Sequence, residues 1–168
     1  MRGAAMALAL LSMESAHAAG SGCDAFKWPL DKERAAFADA GLESVASGTA
    51  RGALKAQAFI LKLVPEATVD YALPPGGKPK QQGAESFGGI VAFDPPSVAG
   101  TYQVTLAGEG WIDLVQGGSH LEATAHTGAK ECPGLRKSVR FTVGPAQTVL
   151  QLSGVPAGTI KVAIRPAQ

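Results

Sequence analysis

The feature that most limits what this chain can become is a run of short alternating segments filling its second half. Tyr102, Val104 and Leu106 alternate with Thr101, Gln103 and Thr105. Successive side chains of a strand point to opposite faces, so such a pattern sets one face against a core and the other in water. Gly108-Glu109-Gly110 turns the chain into residues 111–115, and Gly117-Gly118 turns it again. Leu121, Ala123 and Ala125 then alternate with His120, Glu122, Thr124 and His126. Val139, Phe141 and Val143 follow, then Leu150 and Leu152, and last Ile160, Val162 and Ile164. Strands this short, with turn signals about every 8–12 residues, predict a mainly β fold, an antiparallel β-sandwich of jelly-roll-like type. The 21 glycines and 11 prolines among 168 residues supply the turns it needs.

The first half is less regular. Phe26, Leu30 and Phe37 can share one helical face, Pro29, Asp31 and Glu33 suit a first turn, and Gly41 suits a stop. One short N-terminal helix over residues 29–40 is therefore expected, covering an edge or an end of a sheet. Residues 43–52 are small and polar and read as a connector. Leu54, Ala58 and Leu61 fit a helix, but Phe59, Leu61 and Leu63 alternate, which favours a strand ended by Pro65. Val69, Tyr71 and Leu73 alternate in an extended segment, and residues 74–83, rich in proline and glycine, read as a mobile surface loop.

The N-terminus carries an address. Met1-Arg2 precedes an apolar run over residues 3–13, and Ala16-His17-Ala18 has the small-x-small form that a signal peptidase reads. The run is about half of the roughly 20 residues a spanning helix needs. Residues 1–18 are accordingly expected to be a signal peptide and residues 19–168 a single β-sandwich domain, periplasmic or secreted, with no transmembrane segment. In an oxidising compartment Cys23 and Cys132 read as a disulfide. Two buried thiols, or a lipid-modified Cys23 after Gly20-Ser21-Gly22, are the alternatives. The formal net charge of +1 and a charged fraction of 17% exclude the basic footprint of a nucleic-acid binder.

Three constellations could carry chemistry. His120, Glu122 and His126 share a parity, so on one strand they would project from one face at spacings of roughly 7 and 13 Å. Two imidazoles and a carboxylate suit iron or zinc, and Asp113 from the neighbouring strand could complete a set with His120 and Glu122. The alternative is a solvated strand face. Trp111 and Asp113 share a face opposite Ile112 and Leu114. If Ile112 points to the core, they form an aromatic-plus-acid platform for a sugar ring. If Trp111 points inward, Asp113 becomes a structural partner for Arg136, Lys137 or Arg140. Those three cations, within five residues, are also a candidate anion contact. No G-x-S-x-G elbow occurs, and Ser119 and His120 would face opposite ways on a strand.

Two resemblances bear on function. Gly117, His120, Glu122 and His126, with Pro156-Ala157-Gly158, partly resemble the cupin motifs. The histidines lack H-x-H spacing, however, and Lys161 stands where the second motif has its histidine. The A-G-T-Y-Q-V-T-L stretch at residues 99–106 and W-I-D-L at residues 111–114 resemble small all-β accessory domains of secreted bacterial proteases and glycosidases, of pre-peptidase or carbohydrate-binding type. The chain as a whole is similar to small exported proteins of Gram-negative bacteria. The accessory-domain resemblance implies binding or folding assistance. The expected function is thus a binding or structural module without catalysis, with a glycan or an envelope protein as partner and no cofactor implied. A metal-dependent, cupin-like oxygenase using His120 and Glu122, and surface carbohydrate binding through Trp111 and Asp113, are the alternatives.

Overall fold

A computed structural model describes residues 22–77 and 85–167. The expected signal peptide, and the part of the expected mobile loop from residue 78 onward, lie outside the described residues. Among the described residues twelve strands form two sheets. The first has the order β1 (Ser44–Ala46), β3 (Gln57–Lys62), β12 (Thr159–Pro166), β6 (Gly100–Leu106), β10 (Lys137–Val143), β9 (Ala123–Gly128). The second has the order β2 (Thr49–Ala53), β5 (Phe87–Asp94), β11 (Thr148–Val155), β7 (Trp111–Gln116), β8 (Ser119–His120), with β4 (Val64–Pro65) pairing β5 at one end.

The alternation decides which face meets which. Phe59, Leu61, Val104, Leu106, Phe141, Val162 and Ile164 of the first sheet pack on Val91, Phe93, Ile112, Leu114, Leu150 and Leu152 of the second, all buried in one cluster. Phe59 and Phe93 meet across the layer with ring centroids 6.5 Å apart. Between β7 and β8, Gly117 and Gly118 both take positive φ, 60° and 76°. That is the two-residue hairpin geometry whose twist matches the flanking strands.

Two parts of the first half depart from expectation. Residues 43–52 are not a connector, because β1 and β2 arise there and pair in parallel with β3 and β5. Both sheets are therefore mixed, and the architecture is a mixed sandwich rather than the purely antiparallel arrangement expected. Short polar strands such as T-A-R-G-A lack the alternation that marks a half-buried strand, since they are edge strands with little core contact. Residues 69–73 join no ladder, and the chain bends at Ala72 and Leu73.

The outer face of the first sheet is covered as well. A 3-10 turn, Gly22–Ala25, and the helix α1, Asp31–Ala38, lie over it, and the helix falls inside the expected 29–40. Leu30 and Phe37 are buried there with Cys132, Leu135 and Ala163, and Phe26 and Trp28 pack alongside. Glu33, only 2% exposed, accepts a 2.6 Å hydrogen bond from Gln103 Nε2 and lies 3.7 Å from Arg165 Nε. A buried carboxylate persists only with such partners. Cys23 and Cys132 form the expected disulfide, with Cα atoms 4.6 Å apart across 109 residues of chain. No helix among the described residues is long and apolar enough to cross a membrane.

Candidate functional site

The outer face of the second sheet carries a different cover. Residues 66–77 cross it as a strap, fastened by side chains of the sheet. Gln151, 1% exposed, accepts from Leu73 N–H at 3.1 Å and donates to Leu73 O at 3.0 Å. One side-chain amide thus replaces a pair of ladder hydrogen bonds. Tyr71 Oη donates to Leu152 O at 3.0 Å, and burial, followed by the charges of Glu66 and Asp113, pushes its phenol pKa up. Gly88 makes room for this: a Cβ there would fall 2.0 Å from Tyr71 Oη, well inside any tolerable contact.

Farther along, the strap reaches Trp111 and Asp113. Ile112 and Leu114 are the core-facing pair, so Trp111 and Asp113 project outward as a platform would require. The strap then engages the acid. Asp113 Oδ2 accepts from Gly76 N–H and Oδ1 from Trp111 Nε1, both at 2.9 Å. His120 lies below, its Nδ1 3.8 Å from Asp113 Oδ1 and its Nε2 3.0 Å from Pro74 O, a contact that needs a proton on Nε2. Asp113 therefore orients the indole and pins the strap. It pairs with neither Arg136, Lys137 nor Arg140 in these contacts.

The three residues expected on one strand face are separated. His120 ends β8 in the second sheet, Glu122 lies exposed in the crossover, and His126 sits on β9 in the first sheet. The chain changes sheets just after Leu121: its N–H still donates to Leu114 O of β7 at 2.8 Å and its side chain packs on the core, and β9 begins at Ala123 in the first sheet. Among the described residues no group of three or more His, Cys, Asp and Glu side chains is placed to hold a metal ion. The cation run is divided too. Arg140 lies over the Trp28 ring at 4.2 Å and bonds Gln103 Oε1 at 3.3 Å, on the covered outer face of the first sheet.

What remains converges elsewhere. A cleft of about 500 Å³ opens where one end of β9 and β10 faces the start of β7, with Trp111, His126, Arg136, Lys137, Glu109 and Glu66 on its walls. Lys137 continues the inward stripe of Val139, Phe141 and Val143, so a cation stands at the rim of the core. Its Nζ lies 4.6 Å from the Trp111 ring centroid and 3.3 Å from Gly110 O. His126 pairs with Val139 across β9 and β10, which gives it the same inward sense. Arg136 is fixed through its backbone, donating to Leu106 O and accepting from Ala129 N–H, and its guanidinium meets Glu109 at 3.3 Å. Glu66 Oε2 accepts from Gly154 N–H at 2.9 Å, which holds its carboxylate at the wall. Gly77 packs on the indole so closely that a Cβ there would fall 2.6 Å from Trp111 Cγ.

The cleft thus joins Trp111, His126, Arg136 and Lys137, drawn from three separate constellations of the sequence. It leaves out His120, Glu122, Asp113 and Arg140. Glu66, Glu109 and the strap-fastening Gln151 carried no signal along the chain: Glu66 and Glu109 read as polar turn residues, and Gln151, between two leucines, as water-facing. The cleft volume falls within the roughly 300–1,000 Å³ range of small-molecule sites. Comparison with known protein families, curated proteins and solved structures returned no match.

Proposed function

We propose that this protein is an exported, disulfide-stabilised binding module that takes a saccharide in the cleft beside Trp111 and performs no chemistry on it. Export is supported by the apolar run and small-residue cleavage pattern of residues 1–18, and by a cystine, which persists in oxidising compartments. One observation carries the binding reading. Trp111 remains 42% exposed at the head of a strand whose next four residues are buried, and it borders a cleft that offers donors and acceptors together. A sugar presents an apolar C–H flank for an indole and hydroxyls that both donate and accept. Asp113 serves this site from behind, through its bond to Trp111 Nε1.

Tryptophan fluorescence tests the proposal. A Trp28→Phe variant leaves Trp111 as the single reporter, since the chain has two tryptophans. Titration with a panel of neutral and acidic oligosaccharides should give a saturable change with at least one member. Trp111→Ala should abolish binding of the same sugar by calorimetry. No response anywhere in the panel would overturn the proposal.

A further inference from the structure

The charges on the cleft walls say more than that a sugar fits. We infer that the ligand is an acidic saccharide, one whose ring carries a uronate-type carboxylate; this rests on the saccharide-binding reading above. Arg136 immediately precedes β10 and Lys137 opens it, and both reach the same cleft. The guanidinium is held by Glu109 at 3.3 Å, and the Glu109 side chain is 52% exposed. Exposed pairs of this kind are weak. A ligand carboxylate can therefore take the guanidinium in the two-pronged geometry that Arg favours. Lys137 Nζ sets a second positive charge over the indole, 4.6 Å from the ring centroid, so an acid group bound in the cleft beside Trp111 lies near both cations.

The carboxylates decide between a sugar acid and a simple anion. Glu66 and Glu109 line the same cleft, and they would repel inorganic phosphate or any ligand that is charge alone. A uronate satisfies both sets, giving its carboxylate to Arg136 and Lys137 and its hydroxyl protons to Glu66 and Glu109. His126 and the Ser153 hydroxyl, also on the walls, add further hydrogen-bonding groups. Mixed charge around one indole thus matches a ligand with one acid group and many hydroxyls.

Calorimetric titration of the mature protein with trigalacturonate, with the matching neutral galactotriose and with inorganic phosphate tests the inference. Trigalacturonate should bind at least tenfold more tightly than the neutral trimer, and its affinity should fall as salt rises. Arg136→Gln should weaken it by about tenfold, and Lys137→Met, which removes the charge but keeps an unbranched side chain, by a similar factor. Both variants should keep the wild-type unfolding midpoint to within a few degrees, which separates loss of contact from loss of fold. Equal binding of the two trimers, or of trigalacturonate to wild type and both variants, would overturn the acidic class while leaving the saccharide reading standing. Phosphate binding as tight as trigalacturonate would overturn the sugar as ligand. Binding of no saccharide at all would overturn both.

Discussion

The two outer faces of the sandwich are both covered, and by opposite means. Over the first sheet lies the N-terminal segment, which buries Leu30 and Phe37 and is tied by the Cys23–Cys132 bond. Over the second lies the strap of residues 66–77, held by Tyr71, Gln151, Asp113 and His120 through contacts to backbone atoms. Apolar burial is non-directional. Polar fastening works at points, and the backbone between the points need not fill space. The first face holds Arg140 against Trp28, out of reach of the cleft. The pegged face ends in glycines at positions 76 and 77, beside the cleft that borders Trp111.

If this contrast is real, the two covers should respond unequally to perturbation. Removing the disulfide with Cys23→Ser and Cys132→Ser should cost about 2–5 kcal/mol in denaturant unfolding, because 109 residues of chain regain their freedom when unfolded. An unchanged midpoint would mean that burial alone secures the first cover. On the other face, Gln151→Leu leaves the Leu73 N–H and C=O without their partner. A loss of about 1–3 kcal/mol is expected, smaller than for the cystine. A neutral result would show that water replaces the amide, and that the strap is less tightly fastened than its contacts indicate.

The smallest effect should come with alkali. Burial raises the Tyr71 pKa in the folded protein, whereas an unfolded phenol ionises near pH 10. The contribution of Tyr71 is therefore fully present below about pH 10 and is lost as pH rises toward the folded value. Tyr71→Phe should flatten the alkaline limb of the stability profile. Absorbance titration of the wild type should show a late-ionising phenol that the variant lacks. An unaltered alkaline limb would place the phenol in solvent instead of on Leu152 O.

The contrast also shows what was legible in the sequence. Strict alternation located β6, β10 and β12 and their inward residues, since burial on one face writes period two into the chain. The helix was readable from its flanking signals, although of Phe26, Leu30 and Phe37 only Phe37 lies within α1. The disulfide followed from two cysteines beyond a segment expected to be an export signal. Edge strands β1 and β2 were missed because little core contact shapes them. The separation of His120 from His126 was hidden because the alternation runs on through Leu121, Ala123 and Ala125 although the chain changes sheets between β8 and β9. Most obscure was the cleft itself. Trp111, His126 and Arg136 stand 10 to 25 residues apart on elements of both sheets, and only the packing of the sheets brings them to one mouth.

Amide hydrogen exchange at Leu73 and Gly76 tests the central claim most directly, that side chains of the second sheet fasten the strap forming one wall of the cleft. In the wild type both amides should be protected well above unbonded surface amides, since each donates to a buried side chain of the sheet. Gln151→Leu should release Leu73, and Asp113→Ala should release Gly76, while amides in the middle of β11 and β7 keep most of their protection. Rapid exchange of Leu73 and Gly76 in the wild type, at the rate of open surface amides, would contradict the account.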